Sequence, residues 1–219
     1  DEERLILAQG NFKNIITIAK ENNFQSVNGV LLDLGVSSHQ INSDWRGFSF
    51  QKDGPLQMTF SSKGGDAKDH RINAWEGVNT YPKQKLKQIF QEYGEVSNAG
   101  LCAERIERRR KEHSIDTTTM LVKSILGPGA DKLRGEIVDN FSKPRIKLLA
   151  KMFQAIRIEV NSELDNLQNA LFSAGDILAP KGRIAVISYH SLEDRIAKRF
   201  LKESSRECIC PPELPVCVC

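Results

Sequence analysis

Polar side chains gather at the ends of two apolar runs, and they are the first candidates for chemistry. Asp33, Ser37 and Ser38 follow the run Val27 to Gly35; Ser188, His190 and Ser191 close the run Arg183 to His190. A carboxylate at Asp33 can accept hydrogen bonds from hydroxyl or amino groups of a ligand, or cap the turn behind it. His190 can exchange a proton near neutral pH, or serve as a core or helix-capping residue. Ser37 and Ser38 offer hydroxyls at the same edge. Gln40, two residues on, suits either a surface loop or a ligand contact. Phe12 suits either the core or stacking on an aromatic base.

Three further groups have spacing that invites a role. Arg105, Arg108, Arg109, Arg110 and Lys111 form the densest basic run, which suits phosphate contact. The interleaved Glu104, Glu107 and Glu112 suit a solvated helix face equally well. Arg46, Phe48 and Phe50 lie in an aromatic, glycine-bearing loop, Trp45 to Phe60, that suits base stacking or a hydrophobic lid. Cys208, Cys210, Cys217 and Cys219 have C-x-C-x6-C-x-C spacing. Four thiolates suit tetrahedral zinc, although both pairs are tighter than the usual zinc spacing. Redox chemistry and an unliganded tail are the other readings.

These groups need elements to hold them. Both apolar runs are short, rich in Val, Ile and Leu, and bounded by turn residues, which predicts buried parallel strands. Ligands of open α/β sheets sit beyond the carboxyl ends of strands, where the polar residues lie. Phe153, Ile156, Val160, Leu164, Leu167 and Leu171 recur at helical spacing before the second strand. Ser191 is the expected cap of a helix after it, with Glu193 and Asp194 in its first turn and Ile196, Phe200 and Leu201 inward. Helix, strand, helix fits a doubly wound sheet. Between Arg71 and Leu149 only helical periodicity is found. One stripe is Leu86, Ile89, Phe90 and Tyr93, closed by Gly94. Another is Met120, Leu121, Ile125 and Leu126, closed by Gly127-Pro128-Gly129. The expected division is therefore 1–70 as the first part of an α/β core, 71–148 as an inserted helical domain, and 149–219 as the second part of the core with a cysteine-rich tail.

Composition bounds the function classes. The chain has 219 residues, 40% hydrophobic and 27% charged, enough for a packed core and too apolar for wholesale disorder. Its net charge of +3 allows a nucleic-acid partner without demanding one. No apolar run approaches membrane-span length and no signal peptide opens the chain, so no membrane role and no secretion are expected. Four of five cysteines crowd the last twelve residues, which favours a reducing compartment over a disulfide framework.

LLDLGVSSHQ at Leu31 to Gln40 and RGFSFQKDGPLQM at Arg46 to Met58 resemble the signature of the RsmH (MraW) family of ribosomal RNA cytosine-N4 methyltransferases. QEYGE at Gln91, FQAIRIEVNSEL at Phe153, GRIAVISYHSLEDRIAKRF at Gly182 and the tail CICPPELPVCVC are similar to further family blocks, in the same order. The resemblance implies a class I, Rossmann-like methyltransferase core with an all-helical domain inserted after its fourth strand. It implies S-adenosyl-L-methionine as cofactor and a cytosine of the decoding region of small-subunit RNA as substrate. Phe12, Asp33 and Gln40 match cofactor contacts. Ser37 and His190 are the catalytic candidates; Arg46, Phe48, Arg105, Arg108 and Arg109 are the RNA-binding candidates. No metal is expected beyond the cysteine option.

Departures from the family pattern qualify this. The glycine-rich turn after the family's first strand, the acid after its second and its basic end are not in this sequence. An incomplete core with weak or absent cofactor binding is therefore expected. Val96 replaces an acid, AERIERRRKEH follows the family's basic helix loosely, and KPRIKLLAKM lacks the family's usual block. Two other readings follow: a catalytically inactive RNA-binding relic, or a methyltransferase of another amine. Bacterial cytoplasm, plastid or mitochondrion, and a homodimer, complete the expectations.

Overall fold

The computed structural model describes residues 5–60, 72–130 and 141–206, so the four tail cysteines lie outside the described residues. By internal contacts the chain divides into two compact units, Val36–Glu163 and the flanking pair Asp1–Gly35 with Leu164–Cys219.

In the flanking unit, strand β1 (Val27–Asp33) pairs in parallel with β2 (Leu178–Ile187). The register runs Gly29 to Arg183 through Asp33 to Ile187. It breaks between Val27 and Gly29, where the Pro180-Lys181-Gly182 turn bulges from β2 and Lys181 takes φ 70°. The expected second strand thus starts earlier and ends at Ile187, leaving Ser188 to His190 beyond it. Helix α1 (Ile15–Glu21) precedes β1; α8 (Glu163–Ile177) and α9 (Ser191–Ser204) flank β2 in sequence. Side chains alternate along a strand. Val30, Leu32, Leu34, Ile184 and Val186 therefore share one face and pack with Leu167, Leu171, Ile196 and Phe200. The opposite face carries Leu31 and Ile187, which are 64% and 45% exposed. The strands are parallel as expected, but half-buried: the described residues cover one face only.

The helical unit contains α2 (Ser38–Asn42), α3 (Ala74–Thr80), α4 (Lys83–Glu92), α5 (Ala99–Glu112), α6 (Thr118–Leu126) and α7 (Lys143–Asn161). Leu86, Ile89 and Phe90 of α4, Cys102 and Ile106 of α5, Leu121 and Ile125 of α6, and Leu149, Met152 and Phe153 of α7 close one core. Leu56 and Met58 of the aromatic loop are fully buried in it. That burial assigns the loop and α7 to the unit that runs from Val36 to Glu163: both spend their apolar side chains on the helices. The Asp53-Gly54-Pro55 turn docks at the start of α6. There Thr118 donates its hydroxyl to the Lys52 carbonyl (2.7 Å), and Asp53 accepts from the Thr119 N–H (3.1 Å).

The helical spacing read across Phe153 to Leu171 is two helices. Ser162 takes the left-handed conformation (φ 50°) at the end of α7, and α8 starts at Glu163. Ser191 opens α9 from inside; the N-cap position belongs to His190, whose extended backbone (φ −145°) begins the helix without a side-chain cap.

On the α3–α7 side of this core, the Tyr81 hydroxyl donates to Glu159 Oε1 (3.1 Å), which also pairs with Lys85 (3.1 Å). Burial, and then the charge of Glu159, push the Tyr81 phenol up to about 12. A group whose proton is held more tightly in the folded state stabilises fully below its unfolded pKa. Its contribution is then lost as pH rises from 10 through about 12. Urea unfolding of wild type and Tyr81→Phe across that window should show the wild-type advantage shrinking with pH. A constant difference would contradict the assignment.

Candidate ligand sites at the strand ends and on the helical unit

Asp33 is the last residue of β1, opposite Ile187. The ladder extends one step further, with the Leu34 N–H donating to the Ile187 carbonyl (3.1 Å). The chain then turns at Gly35 (φ 88°), where an added Cβ would lie 3.2 Å from the Tyr189 ring. Glycine is needed here for both the left-handed backbone and the ring's approach. Tyr189 donates its hydroxyl to Asp33 Oδ1 (3.1 Å) while remaining 69% exposed. The hydrogen bond to Asp33 and its negative charge raise the Tyr189 pKa. Tyr189 lies two residues past Ile187, the β2 residue opposite Asp33; no spacing in the sequence pairs it with Asp33, since that register is set by the strand pairing.

His190 also lies beyond the carboxyl end of β2, but it turns inward. Its Nε2 is 3.2 Å from Glu193 Oε1, and the two side chains are only 10% and 4% exposed. Neither ring nitrogen has a well-aligned hydrogen-bond acceptor among the described residues, so the contact is close but poorly directed. Glu193 also accepts the Tyr189 N–H (3.0 Å). Burial alone would raise the Glu193 pKa, yet the His190 and Tyr189 contacts outweigh it and hold the carboxyl below its usual range. His190 and Glu193 therefore brace the start of α9, while Asp33 and Tyr189 face outward. Phe12 opens a 3-10 turn, Phe12–Asn14, with its ring 38% exposed.

The remaining candidates lie in the helical unit. Ser37 and Gln40 form a reciprocal capping box on α2: the Ser37 N–H donates to Gln40 Oε1 (2.9 Å), and the Gln40 N–H donates to Ser37 Oγ (3.2 Å). Both residues thus have a local structural role, and Gln40 keeps its carboxamide NH2 as a donor. Arg46 donates to the carbonyls of Thr59 (3.1 Å) and Phe60 (3.4 Å), with its guanidinium 4.3 Å from the Trp45 ring centre. Phe48 packs on Phe60, ring centres 5.6 Å apart. Gly47 (φ 67°) allows this fold of the loop, because a Cβ there would sit 2.1 Å from the Pro55 carbonyl oxygen. The loop is anchored by Asn161, which the sequence reading did not single out. Its Nδ2 donates to the Met58 carbonyl (2.7 Å), and its Oδ1 accepts the Phe60 N–H (2.9 Å).

The basic run divides by partner. Arg105 donates to the carbonyls of Ile125 (2.9 Å) and Leu126 (3.1 Å), satisfying the end of α6. Arg110 does the same for the end of α3, through Val78 (2.8 Å) and Tyr81 (2.6 Å). Arg108 and Arg109 line a surface groove of about 200 Å³ with Arg105, Lys123 and Glu112. Arg105→Ala should therefore lower the stability of the helical unit by about 1–2 kcal/mol. Arg108→Ala should leave stability within about 0.5 kcal/mol. Chemical unfolding of both variants separates the two roles. Equal stability losses would contradict this division of labour.

A parallel strand pair with flanking helices places this unit in the α/β class, in which ligands sit beyond the carboxyl ends of the strands; here that end carries an exposed carboxylate, a glycine turn and a tyrosine. The chain belongs to the MraW methylase family, whose family model matches residues 1–219. Relatives called ribosomal RNA small subunit methyltransferase H are 42% identical in Syntrophotalea carbinolica and 42% in Carboxydothermus hydrogenoformans, each over 99% of this chain. The one from Clostridium botulinum is 39% identical over the whole chain. The chain spans 65% of the length of each of the first two relatives. Among the described residues no helix is long and apolar enough to cross a membrane.

Proposed function

We propose that this chain is part of an S-adenosyl-L-methionine-dependent enzyme that methylates the N4 amine of a cytosine in the decoding region of 16S-type small-subunit RNA. The carrying observation is about 42% identity over 99% of the chain to proteins named small-subunit RNA methyltransferases. The reading takes residues 36–163 as a helical domain inserted in a Rossmann-like core. It places the protein where small subunits are assembled, in bacterial cytoplasm or an organelle.

The exposed Asp33 carboxylate suits the hydroxyl and ammonium groups of such a cofactor, and the half-exposed Phe12 ring suits its adenine. When bound, the cofactor supplies a methyl group already activated on a sulfonium. Asp33 accepts hydrogen bonds from the ligand, and Tyr189 fixes the carboxylate's orientation through the 3.1 Å bond. His190, buried against Glu193, sets the start of α9 and so the place of Tyr189. Gln40 offers its free NH2 to a ligand. Cytosine's amine is a weak nucleophile, so the protein's work is mainly positioning.

The test is incubation of the whole enzyme that contains this chain with labelled cofactor and unmethylated small subunits, followed by mass spectrometry of the cytidines. N4-methylcytidine at one position supports the reading. Methylation of a different amine, or RNA binding with no methylation and no cofactor binding, would favour the two alternatives in turn.

A further inference from the structure

We propose that the outward side of α9 binds the phosphates of single-stranded RNA flanking the target nucleotide. The proposal rests on the RNA-methyltransferase reading for the choice of polyanion, and on the helix's own charge and position for the rest. Leu192, Glu193 and Ala197 are buried, and Ile196 and Phe200 pack with the strand pair. Phe200 also meets Phe172 edge-on, ring centres 5.4 Å apart. The other side of the helix is exposed and basic. Arg195, Arg199 and Lys202 recur at i, i+4 and i+7, and so share one side. Lys198 lies beside them, and Arg206 continues the run just past the helix end. Two acids, Asp194 and Glu203, accompany these five cations. Across the whole chain 31 basic residues nearly balance 28 acidic ones, so the excess is local to this surface.

Helix stability does not account for this stripe. Cations in a last turn complement the helix dipole, which covers Lys202 but neither Arg195 nor Arg199. Like charges at i and i+4, as in Arg195 with Arg199 and Lys198 with Lys202, repel one another on a helix. Lys198 is paired with Asp194 at 2.8 Å. Among the described residues the side chains of Arg199, Lys202 and Arg206 have no ion-pair partner. The basic run of α5 differs, because Arg105 and Arg110 are committed to the carbonyls of helix ends. Position adds to charge. Helix α9 starts beside the strand-end rim: Tyr189, two residues before Ser191, holds Asp33. From there the cations lead away along the helix, Arg195 to Lys202 covering about 10 Å at the helical rise. A strand of RNA running from a nucleotide held at the rim therefore meets a cation at each turn. Phosphate contacts of this kind position a substrate without reading its sequence.

The probe is a labelled single-stranded oligouridylate, titrated into the whole enzyme that contains this chain at several salt concentrations. The triple variant Arg199→Ala/Lys202→Ala/Arg206→Ala should bind it about tenfold more weakly, the loss expected for three exposed ion pairs. Losing three phosphate contacts should also make log affinity fall less steeply with log salt, by about two units of slope. The double variant Arg199→Lys/Arg206→Lys keeps the charge and should keep the wild-type slope. The thermal unfolding midpoint of the triple variant should not fall, since these side chains hold no other element. An unchanged affinity and slope in the triple variant would overturn the proposal. So would a slope lost equally in the lysine variant, or weaker binding accompanied by a lowered midpoint. The rRNA methylation assay runs separately. An enzyme that methylates while its triple variant keeps the slope loses the stripe and retains the enzymatic reading; one that binds RNA through the stripe yet methylates nothing does the reverse.

Discussion

In the whole enzyme proposed to contain this chain, Asp33→Ala is expected to lower kcat/KM for methyl transfer to small-subunit RNA by about a hundredfold, while leaving stability within about 0.5 kcal/mol of wild type. The size follows from the charge-assisted hydrogen bonds a ligand loses, each about 1.5–3 kcal/mol. The small stability change follows from position. Asp33 is exposed at the strand end, where its carboxylate accepts from the Tyr189 hydroxyl, and Tyr189 is itself 69% exposed. Tyr189→Phe removes one orienting bond and keeps the carboxylate, so its cost should be smaller, about threefold to tenfold. Steady-state kinetics with chemical unfolding on the same preparations gives both quantities. Activity of the alanine variant within a factor of about three of wild type would remove Asp33 from the site.

Asn161→Leu should destabilise the helical unit by about 3 kcal/mol, without touching the strand pair. Asn161 is 3% exposed and uses both ends of its amide. It donates to the Met58 and Arg157 carbonyls (2.7 and 2.8 Å) and accepts from the Phe60 N–H (2.9 Å). Leucine is similar in size but pairs with none of them, and each stranded polar group costs about 1–3 kcal/mol. Met58 sits at φ 49°, an unfavourable backbone for a methionine, so the clamp holds a conformation the loop would otherwise leave. Both tryptophans, Trp45 and Trp75, belong to this unit, so urea unfolding by tryptophan fluorescence reports it selectively. A loss under about 1 kcal/mol would show that the loop is held by apolar burial alone.

The elements were legible where one local pattern sufficed. Apolar runs ending in turn residues located both strands, and the Leu86–Ile89–Phe90 stripe located α4, because each reflects burial of a single face. The break at Ser162 was not legible, since the apolar spacing runs across it and serine gives little warning of a left-handed turn. Nor was the strand face that the described residues leave uncovered: a run of Val, Ile and Leu reads alike whether one side or both are buried.

The candidate site separated along the same line. By itself the sequence determined the family, through ordered motifs, and the secondary structure that puts Asp33 at a strand end. Tertiary structure decided which polar side chains remain available to a ligand. Arg105 and Arg110 are equivalent cations in the chain, yet both cap helices that end elsewhere in the unit. Asn161 looks unremarkable in sequence, yet it ties down a loop about a hundred residues away. The reason is the obligation of buried carbonyls and N–H groups to find partners. Those partners come from wherever the packed chain places them, which no local spacing records.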